Sequence, residues 1–376
     1  MEWKNNKKYN PFNSYKLLAH IEKWEQIREG NSIPPPVLVS IDPINDCNMK
    51  CIWCNSERVL NTRKGKLDLF AINKITDFIH QWGVKAVCVG GGGESLVNPH
   101  TTTLILNCVT KNIEVGVVTN GLSINKHLAA LSQCTWLGVS VDAATKNTFN
   151  KLKGVNGFDT VITNINNLIE YSNKYNTLLG KDLPAYGISF KYLVHKDNVH
   201  EIAAAAKLAK DLGCKNIHFR PATIPWSKRT ENTTSYFSKA DIGAFNQQIS
   251  KALELDDANF NVYGVIHKFG DVFEPDNAFY KCWAIFMTAV FAPSITPKYG
   301  AFSFVLCCDR RGDPKLEAFT SITQPYLIKS FWGSKEHWDI HKSIEVETEC
   351  PRCTYRPHNE IYETVILKDS MTYKFI

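Results

Sequence analysis

Cys47, Cys51 and Cys54 fall within eight positions of the stretch INDCNMKCIWCNS. Three residues separate the first pair and two the second. Three thiolates presented by one short loop suit a face of an iron–sulfur cube and leave one iron without a protein ligand. A zinc site short of a ligand, or a chance grouping, would use the same residues. Zinc asks for a fourth Cys or His close by, and the nearest, His80, falls on a predicted helix.

A second group comprises Cys282, Cys307 and Cys308 in SFVLCCDRRGD, and Cys350 and Cys353 in CPRC. A C-x2-C knuckle with two distant cysteines is enough for a four-sulfur site, for zinc or for an iron–sulfur cluster. Cys88, Cys108, Cys134 and Cys214 stand alone in apolar segments and read as small core residues. Clustered thiols in a reducing compartment point to metal binding or catalysis rather than disulfides.

Other groups with chemistry in them follow predicted strands. GGGGES (90–95) sets a carboxylate, Glu94, beside glycines that let backbone approach a ligand closely. TNG (119–121) contains a strong turn dipeptide. In SVD, Ser140 and Asp142 are two residues apart, so on a strand they share a face. Both can bond hydroxyl groups, and Asp142 equally suits a helix N-cap. Arg220 in HFRP can meet an anion or form a surface ion pair. Lys191, His195 and Arg220, near the ends of predicted strands five and six, are the candidates for a base or a substrate contact. His195 and His218 also read as structural histidines, and Asp309, Arg310 and Arg311 as a solvated or domain-interface patch.

These groups need a scaffold. The chain has 376 residues, 44% of them hydrophobic, and an excess of 43 − 37 = 6 basic over acidic side chains. That allows a large domain and a smaller one with a mildly cationic surface. No arginine-rich tract argues for nucleic acid, no apolar run is long enough to span a membrane, and no signal core follows the polar N-terminus. The expectation is a cytoplasmic protein. Strands are predicted at 37–41, 85–90, 114–119, 136–141, 186–194 and 216–220. Helices fall between them, most clearly at 67–82, 158–172 and 199–213. Such alternation implies α/β architecture with a parallel sheet. A complete eight-unit barrel takes roughly 250 residues, so a partial (β/α)6 TIM-like barrel is expected. After Pro221 comes a predicted loop, then a helix at 239–255. From about 260 the composition shifts to aromatics, prolines and cysteines. The expected organisation is a helical lead-in over 1–36, the partial barrel over 37–235, and a linker helix with a smaller Cys-rich α+β domain over 236–376.

Across residues 37–221 the chain resembles the radical S-adenosylmethionine (SAM) superfamily. The carriers are C-x3-C-x2-C after strand one, with Trp53 before the third cysteine, and the later motifs in strand order. The resemblance implies a SAM-binding four-iron cluster on Cys47, Cys51 and Cys54. It puts Gly92, Gly93 and Glu94 on the SAM amino group, although the family's usual proline after the glutamate is Ser95 here. It brings Thr119 and Asn120 to the cofactor, Ser140 and Asp142 to the ribose, Arg220 to the SAM carboxylate or a substrate anion, and Trp53 to the adenine side. The later cysteines are similar to the twitch domain, the shorter relative of the SPASM domain. That implies one auxiliary four-iron cluster on Cys282, Cys307, Cys350 and Cys353, with Cys308 as the alternative to Cys307; zinc stays the other occupant.

The resemblance further implies generation of a 5′-deoxyadenosyl radical and an electron donor such as flavodoxin or ferredoxin. An auxiliary cluster suits oxidation of the substrate radical. Relatives that modify peptides often carry an extra leader-binding module, and here 36 residues precede the first predicted strand. That favours a small polar substrate of sugar or aminocyclitol type. The alternatives are a peptide maturase or epimerase of the same superfamily, and a non-catalytic α/β binding protein with a structural zinc module.

Overall fold

A computed structural model describes residues 13–30, 32–179, 187–222, 236–273, 279–296, 298–350 and 353–367. Its centre is one ten-stranded sheet. In chain order the strands are β1 (Leu38–Ile41), β2 (Ala86–Val89), β3 (Glu114–Thr119), β4 (Trp136–Ser140), β5 (Gly187–Val194), β6 (Asn216–Pro221), β7 (Asn261–Gly264), β8 (Thr288–Pro293), β9 (Phe302–Val305) and β10 (Glu317–Ile322). Their spatial order is β10-β9-β8-β1-β2-β3-β4-β5-β6-β7.

The strands from β1 to β7 are parallel, as β-then-α alternation requires. Two features go beyond the sequence expectation. A seventh strand, β7, pairs with β6 although it lies past the boundary expected at residue 236. The Cys-rich part is joined to the same sheet, because β8 pairs in parallel with the free side of β1. An antiparallel β8-β9-β10 meander then extends the edge. Most of the loop expected after Pro221 lies outside the described residues.

Side-chain alternation divides the sheet into two faces. Val39, Ile41, Val87, Val89, Val115, Val117, Leu137, Val139, Phe190, Tyr192, Ile217 and Phe219 are buried under the helices. The helix Leu69–Trp82 shows how local sequence sets this layer. Asp68 caps it by accepting from the Ala71 amide, Gly83 ends it at φ 92°, and Ile72, Ile75 and Ile79 are fully buried. The opposite face carries Ser40, Cys88, Ser140, Lys191, His218 and Arg220. Strands of a parallel sheet are usually apolar on both faces, so this polar inner face marks where chemistry belongs. No helix among the described residues is long and apolar enough to cross a membrane.

Candidate functional site

The cysteine loop leaves the C-terminal end of β1, the end at which parallel α/β sheets build their sites. Its backbone is tied down from two sides. The Lys50 and Ile52 amides donate to the Lys153 and Leu152 carbonyls at 2.9 and 3.1 Å. Those carbonyls end the helix Lys146–Lys153, where helical carbonyls lack an internal partner. The Gly93 and Glu94 amides donate to the Ile44 and Asp46 carbonyls at 2.8 and 2.9 Å. A Cβ on Gly93 would stand 2.0 Å from the Asp46 carbonyl oxygen, and one on Gly92 (φ +60°) 2.4 Å from Asn45 Oδ1. These glycines therefore admit the cysteine loop itself, a local reason for the run that the sequence did not disclose.

Glu94 is buried and held by three donors. It accepts from Thr119 Oγ1 at 2.6 Å, the Asn120 amide at 2.7 Å and the Leu96 amide at 3.1 Å. Two carboxylate oxygens offer about four acceptor positions, so room remains for one further donor. Asn120 Nδ2 donates to Asn48 Oδ1 at 2.7 Å and lies 3.9 Å from Cys47 Sγ. Glu94, Thr119, Asn120 and Cys47, from three segments of chain, thus form one group. Burial pushes the Cys47 thiol up to about 11 and raises Cys51 and Cys54 as well.

Asp142 departs from the expectation. β4 ends at Ser140, and Asp142 sits in the left-handed region at φ 61°, so it does not share a strand face with Ser140. Nor does it cap the next helix, which Thr145 caps. Its carboxylate pairs with Lys153 and accepts from the Leu193 amide at 2.6 Å. Both members of this pair are almost wholly buried. Burial alone would lower the Lys153 amine, but Asp142 and then Cys51 carry it above its usual value. A positive charge therefore stands beside the cysteine loop. Nothing in the sequence flags Lys153, one of several lysines on its helix.

Trp53 is buried against Leu152 and Ala222. Its ring lies 5.6 Å from that of His195, which in turn lies 5.4 Å from Tyr236. His195 accepts from the Asp197 amide through Nδ1, and burial lowers its basicity. It packs with Trp53, apart from the inner face. Lys191 and Arg220 do reach that face. Lys191 is in register with both Ser140 and His218, and Arg220 with Leu193. Lys191 Nζ and His218 Nδ1 are 2.9 Å apart. His218 thus stands in this polar row.

In the C-terminal part, Cys282, Cys307, Cys350 and Cys353 line one pocket together with Asp309, Arg310 and Tyr355. Cys308 turns away from it. It packs on Val290, Ala292 and Val305 of the meander, and its thiol lies 3.9 Å from Asp309 Oδ1. Among the described residues no three Cys, His, Asp or Glu side chains converge tightly enough for a single ion. A cluster asks for less convergence, since each thiolate binds its own iron.

The Asp309-Arg310-Arg311 run forms a junction in which Arg310 is buried and its two neighbours half-buried. Asp309 accepts from the Thr354 amide at 2.6 Å and its hydroxyl at 2.8 Å. Arg310 bonds Asp313 and Glu349 at 2.9 Å and reaches Cys350 Sγ at 3.7 Å. Arg311 grips Asp42, which follows β1, at 2.5 and 3.0 Å.

Residues 41–184 match the family described as the radical SAM superfamily. The mycofactocin maturase MftC of Mycobacterium ulcerans is 27% identical over 147 residues, 38% of this chain and 39% of that protein. A probable GTP 3′,8-cyclase of Saccharolobus solfataricus is 24% identical over 177 residues, 46% of this chain and 52% of its own. The match thus spans about half, or less, of these curated relatives. Among solved structures, SuiB of Streptococcus suis bound to S-adenosylmethionine superposes with a TM-score of 0.62 at 16% identity, over 93% of this chain and 77% of that one. The structure of anSMEcpe with bound AdoMet and the Cp18Cys peptide gives 0.58 at 16% identity, over 87% and 88%. At such identity these likenesses concern the fold.

Proposed function

We propose that this chain, which carries a radical SAM domain over residues 41–184, is an oxidoreductase that abstracts hydrogen from a C–H bond of a small polar substrate and oxidises the resulting radical with the help of an auxiliary four-iron cluster. The carrying observation is that four cysteines from three separate stretches of sequence, Cys282, Cys307, Cys350 and Cys353, line one pocket. A four-iron cluster and SAM, when bound, supply the 5′-deoxyadenosyl radical.

The chain's own residues have definable tasks. Cys47, Cys51 and Cys54 would hold the first cluster through three sulfurs, one ligand short of the four a cube can take, which would leave SAM a place on it. Glu94 is oriented by Thr119 and Asn120 and keeps acceptor capacity for the SAM ammonium. Ser140 remains the candidate for the ribose, whereas Asp142 is committed to Lys153 and the Leu193 amide. Arg310 places a buried positive charge against Cys350, which favours its thiolate.

The test is anaerobic reconstitution. About eight irons per chain are expected, four for each cube, with cleavage of SAM to 5′-deoxyadenosine under dithionite. Zinc alone with no SAM cleavage would end this reading. A count near four irons would remove the auxiliary cluster and with it the oxidative outcome. A second reading, modification of a peptide, is supported by the sequence match to the maturase MftC.

A further inference from the structure

We propose that Arg310, acting through Cys350, raises the reduction potential of the auxiliary cluster and so fits that cluster to take the electron of the substrate radical. This rests on the function proposed above and names the positioning residue that directs its oxidative step.

The geometry is a clamp. Arg310 is 4% exposed, so its guanidinium is held away from water. Nε donates to Asp313 Oδ2 at 2.9 Å, and Nη1 donates to Glu349 Oε2 at 2.9 Å. Lys315 Nζ bonds the other oxygen of Glu349 at 2.6 Å. A guanidinium is a planar, rigid fork, so bonds on two of its sides fix where the rest of it points. Nη1 also donates to Cys350 Sγ, 3.7 Å away. Arg310 stands three residues after Cys307, and Glu349 immediately precedes Cys350. The clamp therefore joins two of the segments that line the four-thiol pocket.

A cluster gains negative charge on reduction. A hydrogen bond to one of its sulfurs, or a positive charge nearby, stabilises the reduced state and raises the potential. A charged donor does so more strongly than a neutral one. Asp309 also lines the pocket and works in the opposite sense, with its carboxylate turned to the Thr354 amide and hydroxyl at 2.6 and 2.8 Å. Asp313 and Glu349 balance part of the Arg310 charge, but the directed N–H···S bond remains. The step served is loss of one electron from the substrate radical to the oxidised auxiliary cluster and of one proton to water. That completes a two-electron oxidation, and a higher potential favours the electron's transfer.

The experiment uses the anaerobically reconstituted full chain. Potentiometry followed by electron paramagnetic resonance measures the midpoint of the reduced-cluster signal that SAM does not perturb. Iron content is checked in every variant. Arg310→Gln should lower this midpoint by at least about 59 mV, a tenfold change in the oxidised-to-reduced ratio for one electron. Glu349→Gln removes a countercharge from the same guanidinium and should raise it. A merely structural role would not move the two in opposite directions. A parental midpoint in Arg310→Gln overturns the assignment, and so do shifts of both variants in one direction. If Arg310→Gln fails to keep its irons, Glu349→Gln decides: a raised midpoint supports the assignment, and an unchanged or lowered one overturns it. A parent protein without the auxiliary irons overturns the proposed function and this assignment together. A parent with both cubes and unmoved midpoints in the variants overturns the assignment alone.

Discussion

Arg311 and Asp42 are 269 positions apart in sequence and form a two-pronged ion pair, at 2.5 and 3.0 Å. Asp42 stands at the exit of β1, five residues before Cys47. Arg311 lies four residues after Cys307. The pair therefore ties the two cysteine groups to one another through short stretches of backbone. Asp42 is fully buried.

Removing Arg311 should be severe. Arg311→Met leaves the Asp42 carboxylate buried and unpaired, a defect that costs about 3–5 kcal/mol. Denaturant unfolding should show the midpoint falling accordingly, and Asp42→Asn paired with Arg311→Met should recover part of the loss. An unchanged midpoint in Arg311→Met would show that the pair is not holding the two parts together.

The two adjacent cysteines should behave differently. Cys307→Ala should lose about four irons, one cube, while Cys308→Ala should keep the full complement. Iron analysis and Mössbauer spectra would decide, and the reverse pattern would transfer the ligand role to Cys308.

Glu94→Gln should weaken SAM at least tenfold, about 1.4 kcal/mol. It removes the negative charge that Thr119, Asn120 and the Leu96 amide hold in place, while the iron count should stay at the parental value. Equal SAM affinity in parent and variant would place the ammonium elsewhere.

Gly93→Ala tests the packing of the cysteine loop. Its Cβ would meet the Asp46 carbonyl at 2.0 Å, so backbone must move. Such overpacking costs about 1–3 kcal/mol. The expected result is loss of the Cys47/Cys51/Cys54 cluster signal with the auxiliary signal retained. Full retention of both would mean that the loop tolerates displacement.

The comparison between sequence and structure divides along contact distance. Strand and helix positions through residue 221 were legible because apolar periodicity is local, and so was the Cys47/Cys51/Cys54 spacing. The convergence of Glu94 with Thr119 and Asn120 was legible too, because parallel strands end in one row. The strand continuation at Asp142 was misjudged, since a left-handed residue leaves no trace in composition. β7 escaped notice as a short strand beyond an apparent boundary.

By itself the sequence determined the α/β architecture, the triplet of thiols and the four later cysteines, because these follow from short-range period and spacing. Only the tertiary structure decided that Lys153 neutralises Asp142 beside Cys51, that Cys307 rather than Cys308 faces the four-thiol pocket, that Lys191 and His218 meet across adjacent strands, and that Arg311 closes on Asp42. Each of those depends on which side chain a fold brings within a few ångströms of a partner distant in sequence, and burial then sets how strongly the pair is held.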